Sequence, residues 1–168
     1  PAKRVMGRRE LLVRAIEMDA SNTSAYRNLA MIMEASDGAG VAPGAHGSSD
    51  HVRLADGREF TRRSLLAEAL RFKPTDALTL ELLADKLGYS ETIVVEGIGR
   101  MGRVELLVRA IEAKPSRPSA YRKLASALPA GQRVTVQLQR GGDGGDGERE
   151  PRSMGRDELL AEAAMHDD

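Results

Sequence analysis

The sequence contains no cysteine and no tryptophan, and its 168 residues include only three tyrosines and two phenylalanines. Without cysteine there can be no disulfide, thiolate metal site or cysteine nucleophile, an absence that suits a reducing compartment, so a cytoplasmic (intracellular) location is expected. With so few aromatic rings, a core must be assembled from Leu, Ile, Val, Ala and Met, the mixture that closely packed helices use. No apolar run approaches the length that spans a bilayer. The opening residues Pro1 to Gly7 lack the apolar stretch of a signal peptide, so no membrane partner is expected. Neither sign of charge is in excess, with 25 Lys and Arg against 25 Asp and Glu, which argues against nucleic acid as a partner. The histidines His46, His51 and His166 are scattered, with no Ser/His/Asp set and no His-x-x-x-His pair. No catalytic residue, metal ligand or cofactor is therefore assigned, and the chain is not expected to be an enzyme.

What the sequence does have is self-similarity, the signature of repeat architectures. Met6-Gly7-Arg8-Arg9-Glu10-Leu11-Leu12-Val13-Arg14-Ala15-Ile16-Glu17 returns as Met101-Gly102-Arg103-Val104-Glu105-Leu106-Leu107-Val108-Arg109-Ala110-Ile111-Glu112. Met154 to Ala163 is a third copy, and Phe60 to Leu70 a looser fourth. Each copy reads as a helix start. Gly7, Thr61, Gly102 and Gly155 occupy the cap, and Glu10, Ser64, Glu105 and Glu158 follow three residues on. Large apolar residues (Met6, Phe60, Met101, Met154) precede the caps, and leucines (Leu11, Leu65, Leu106, Leu159) follow at hydrophobic-staple spacing. A second helix follows each of the first three copies, carrying Ala25-Tyr26…Leu29-Ala30, Thr79-Leu80…Leu83-Ala84 and Ala120-Tyr121…Leu124-Ala125 on one apolar stripe. Tyr26, Leu80 and Tyr121 are expected to pack between hairpins.

Short β-type runs lie between these pairs. Val52-Arg53-Leu54, Ile93-Val94-Val95 and Val134-Thr135-Val136 recur 41 residues apart, and Asp56-Gly57 makes a turn before the next helix. The expected organisation is one repeat domain over 1–168. It has hairpins at about 7–35, 61–87 and 102–128, a terminal helix at about 155–166, and flexible Gly-rich insertions at 37–50 and 140–152. A start without Met, and an array open at both ends, predict a fragment of a longer array or a chain that closes its ends by self-association.

The pattern Ala-Ile-x-x-x-Pro-x-x-x-x-Ala-Tyr-x-x-Leu-Ala resembles the junction between successive tetratricopeptide (TPR) repeats. Ala110-Ile111, Pro115, Ala120-Tyr121 and Leu124-Ala125 match it best. Ala69-Leu70, Pro74, Leu80 and Leu83-Ala84 follow, then Ala15-Ile16, Tyr26 and Leu29-Ala30. The chain departs from that family where Arg8, Arg62, Arg103 and Arg156 replace a small residue, and where the link within each repeat is longer. The resemblance implies an all-α, α-dominated fold: a right-handed α-solenoid of TPR-like helical hairpins with short extended or β segments between them. It also implies a protein–protein interaction scaffold that holds a peptide or protein on its concave face. By TPR position that face would carry Arg27, Met31, Glu81, Asp85, Arg122 and Ser126. The alternatives are a purely architectural module of a larger assembly and, third, a nucleotide-binding enzyme acting through Gly97-Ile98-Gly99-Arg100-Met101-Gly102, a formal G-x-G-x-x-G. That motif aligns with the glycine-poor Asp56 to Thr61 in the neighbouring copy, so it reads as a repeat linker. Gly141 to Glu148 nearly spells a calcium-binding nonapeptide, but a single copy reads as an insertion. The four aligned arginines would form a ladder, expected to pair structurally with Glu10, Glu105, Glu158 or linker carboxylates, because positive charge in a first helical turn opposes the helix dipole.

Overall fold

The computed structural model describes residues 6–37, 51–139 and 149–167. Among these, the first 74 residues contribute α1 (Arg8–Met18), α2 (Thr23–Asp37), β1 (His51–Arg53), β2 (Glu59–Thr61) and α3 (Arg62–Phe72). The remainder contributes α4 (Ala77–Asp85), β3 (Thr92–Val95), β4 (Gly99–Gly102), α5 (Arg103–Ala113), α6 (Pro118–Ala127), β5 (Val134–Gln139), β6 (Arg149–Met154) and α7 (Arg156–Met165). Two compact units result, Pro1–Pro74 and Thr75–Asp168. Their division falls inside the stretch 61–87 that the sequence assigns to a single hairpin.

The helices start where the caps place them. Glu10 and Glu105 each accept a hydrogen bond from the cap glycine's N–H, at 3.2 and 2.6 Å, and Glu158 does the same for Gly155. Glycine offers no side chain in return, so each of these is half a capping box. At α3 the box is complete: Thr61 N donates to Ser64 Oγ at 2.7 Å, and Ser64 N donates to Thr61 Oγ1 at 3.2 Å.

The expected all-α solenoid is overturned. The chain is mixed α/β, with 54% helix and 19% strand, and the strands form three small antiparallel sheets. The β-type runs do not stand alone, because an extended segment in a folded chain must pair its backbone groups. Each pairs with the residues that lead into the following helix: Val52 opposite Phe60, Ile93 opposite Met101 and Val134 opposite Met154. The apolar residue before each of these three caps is therefore the last inward residue of a strand. One face of every hairpin is buried, through Val52, Leu54 and Phe60, then Val95 and Met101, then Val136 and Met154. The opposite face is wet, as Arg53, Val94 and Thr135 are exposed.

The repeated module is thus helix, β-hairpin, helix. In the first unit α2 packs on α3, and α1 on α2. In the second, α4 packs on α5, α5 on α6 and α6 on α7. Tyr26, Leu80 and Tyr121 are buried in this packing, as expected. Tyr26 meets Phe60 edge-on at 6.0 Å and stacks on Phe72 at 6.3 Å. Residues 149–152, read from the sequence as insertion, belong to β6 and pair with 136–139. The Gly-rich stretches 38–50 and 140–148, with His46 and the near-nonapeptide, lie outside the described residues.

Candidate functional site

The six residues assigned to a partner-binding face fall into two groups. Arg27 and Met31 lie on α2 in the first unit. Glu81 and Asp85 on α4, with Arg122 and Ser126 on α6, lie in the second.

The second group is engaged within the chain. Glu81 is 1% exposed. One of its oxygens accepts from Arg117 Nε, and the other from Ser119 Oγ at 2.8 Å with Lys123 Nζ at 3.3 Å. The same ammonium donates to Asp85 at 2.6 Å. Arg122 makes a two-armed pair with Asp167, whose carboxyl it holds below the ordinary range. Ser126 Oγ donates to the Lys123 carbonyl at 2.9 Å. Beneath this layer, burial and then the nearby Glu162 charge push the Tyr121 phenol up to about 12, and the His166 ring stacks on it at 6.0 Å. The α4–α6 face is a self-neutralised polar seam, with Glu81 inside it rather than directed outward.

The glycine motif is a hairpin. Gly97, in the turn between β3 and β4, and Gly99, the first residue of β4, adopt left-handed backbone at φ 78° and 110°. Gly99 to Gly102 is itself a strand antiparallel to its predecessor. A dinucleotide fingerprint requires a strand of a parallel sheet running directly into the helix, whose N-terminus then receives the pyrophosphate. Here the Glu105 carboxylate already occupies the Gly102 N–H at that terminus.

Two of the aligned arginines, Arg156 and Arg103, find partners of a kind the sequence did not suggest. Arg156, at the first turn of α7, donates from Nε to the Ala125 carbonyl at 2.9 Å and from Nη2 to the Leu128 carbonyl at 3.2 Å. Its charge therefore sits at the negative end of α6, where the helix dipole favours it. Arg103 occupies the corresponding place on α5, with its guanidinium 5.5 Å from the Tyr89 ring centre.

Two grooves border α1. On one side, Arg8 and Leu12 of α1 with Asn28, Met31 and Ile32 of α2 line a groove of about 460 Å³. On another, α1 and β1 flank a groove of about 510 Å³ whose apolar floor is Met6, Val13 and Val52, and whose rim carries Arg9, Arg14 and Arg53. The two carboxylates in this second groove are committed to backbone. Glu10 accepts from Gly7 N, and Glu17 accepts from Ala55 N at 2.8 Å. At the other end of β1, Arg9 reaches the His51 carbonyl at 2.9 Å. The equivalent contact in the second unit, Gln137 N to Glu112 at 2.9 Å, is made where α5 packs directly against β5. Of the assigned residues, Met31 stands exposed (44%) and lines the first of these grooves.

Among the described residues no His, Cys, Asp and Glu cluster has metal-holding geometry, and no helix is long and apolar enough to cross a membrane. Compared with known proteins, the chain matches no family model and no curated protein.

Proposed function

We propose that the protein is an interaction scaffold that holds a protein or peptide partner in the grooves along α1. The observation that carries this reading is the contrast between the units. The α4–α6 seam has its charges paired within the chain, whereas α1 is bordered by two grooves with apolar floors, one of them rimmed by arginine. Mixed apolar and cationic grooves of a few hundred Å³ suit a short peptide whose side chains alternate between apolar and acidic. The TPR-like stripe of Ala, Tyr and Leu supports the scaffold class, while the partner surface moves from α4 and α6 to α1 and β1.

The test is capture of native partners by the intact chain, compared with Met31→Glu and Arg53→Glu. Each substitution should reduce capture at least about tenfold, equivalent to 1.4 kcal/mol, while far-ultraviolet circular dichroism stays that of the parent. Full capture by both, with loss in Arg122→Ala, would return the contact surface to the polar seam. A second reading, an architectural repeat module, is favoured by that seam itself, because a face whose charges are satisfied internally serves packing.

A further inference from the structure

Successive helices of the repeat make a lateral comparison possible. On α5, packed between α4 and α6, four core positions are fully buried: Leu106, Leu107, Ala110 and Ile111. The terminal helices each show which pair of positions faces which neighbour. The last helix, α7, packs on the helix before it and buries Leu159 and Ala163, leaving Leu160 45% exposed and Ala164 exposed. The first, α1, packs on the helix after it and buries Ile16, leaving Leu11 54% exposed. Leu11 therefore stands where Leu106 and Leu159 are at 0%, and Leu160 stands where Leu107 is at 0%. One apolar face is open at each end of the described element order, and the two faces are different.

They are also opposite in charge. One helical turn along its open face, α1 carries Arg8 and Arg14 beside Leu11 and Met18, the latter 80% exposed. The open face of α7 carries Asp157 beside Leu160, Ala164 and Met165. The one arginine of α7, Arg156, is turned away onto the end of α6. We infer that the open face of α7 in one copy seats on the open face of α1 in a second copy, so that the chain associates head to tail. This rests on the scaffold reading and names a partner for it, a second copy of the same chain. Its apolar residues on α1, Leu11 and Met18, line neither groove, while Arg8 and Arg14 stand where the association face borders the two grooves. Such a contact is heterologous, and every copy added leaves one face of each kind open, so assembly proceeds beyond a dimer unless the rotation closes a ring.

Light scattering on the intact chain, from about 1 µM to about 1 mM where contacts of modest size assemble, reads this directly. The average mass should climb past that of a dimer with concentration. Leu11→Glu and Leu160→Glu should each remain monomeric with unchanged circular dichroism. Mixed together, they should give a one-to-one pair and nothing larger, because each retains the face the other lacks. If either substitution unfolds the chain, Arg14→Glu should lower the association constant at least about tenfold and Asp157→Arg in the same chain should restore it, as expected of a charge pair made between copies. A parent chain that stays monomeric throughout, a variant that assembles like the parent, or a mixture that stays monomeric each overturns the inference. The grooves are tested separately, since both Leu variants should still capture the outside partner. An outside protein bound at Leu11 by a chain that never self-associates also overturns it.

Discussion

A carboxylate taken out of water is stable only while its lone pairs are occupied, and Glu81 has an arginine, a serine and a lysine around it. Removing it leaves Arg117 and Ser119 without their acceptor and Lys123 with Asp85 alone. Glu81→Ala should therefore destabilise by about 2 kcal/mol, within the range for breaking a hydrogen-bonded charge network whose other members are partly exposed. Ser126→Ala, on the same face but exposed, should stay within about 0.5 kcal/mol. Urea unfolding of the two variants side by side checks the contrast, and equal effects would mean that Glu81 is solvated in solution. The burial of Glu81 was not legible in the sequence. It occupies the register of Arg27 and Arg122, and the TPR resemblance assigns all three to one outward face. What reverses it is the long-range partner Arg117, thirty-six residues away. The arginine at the head of α7 was legible only in part. Its conflict with its own helix dipole predicts a compensating acceptor, but the acceptor is the carbonyl end of α6, which a search for acidic side chains does not find.

At the scale of the element, the β-hairpins belong to the core. The large apolar residues before the caps at Thr61, Gly102 and Gly155 do close the helix start, and they also complete a buried strand face with Val52, Val95 and Val136. Met101→Ala should cost about 2 to 5 kcal/mol, as removal of a buried methionine side chain does. Val94→Ala, on the wet face of the same hairpin and 63% exposed, should cost less than about 0.5 kcal/mol. Thermal or denaturant unfolding separates these outcomes, and a small effect at Met101 would reduce the hairpin to a linker. Helix positions were readable to within a few residues because caps, staples and stripes agree at every copy. The second strand was not read, since Gly99 to Gly102 has weak β propensity and Phe60-Thr61 was taken up as the staple and cap of the next helix. The signal that would have found it is the run Val52 to Thr61, two alternating segments around Asp56-Gly57, which has the spacing of a hairpin.

For the whole molecule, a net charge of zero conceals an uneven distribution, with a basic first helix and an acidic last one. The three hairpins add a different property. At the base the same apolar pair recurs (Val52 with Phe60, Ile93 with Met101, Val134 with Met154), while the arms vary from three paired residues to six. In the second hairpin the turn residues beyond the last pair, Glu96 and Gly97, are exposed, so the tip can grow there and the fold can serve as a display platform. An inserted run of about ten Gly and Ser residues between Glu96 and Gly97 should cost about 1 kcal/mol of loop-closure entropy, lowering the melting midpoint by about 3 °C. The same run placed between Met101 and Gly102, where strand hands over to helix, should abolish cooperative melting of the second unit. A foreign epitope grafted at Glu96 would then be carried on a structured stem without disturbing the helices beneath.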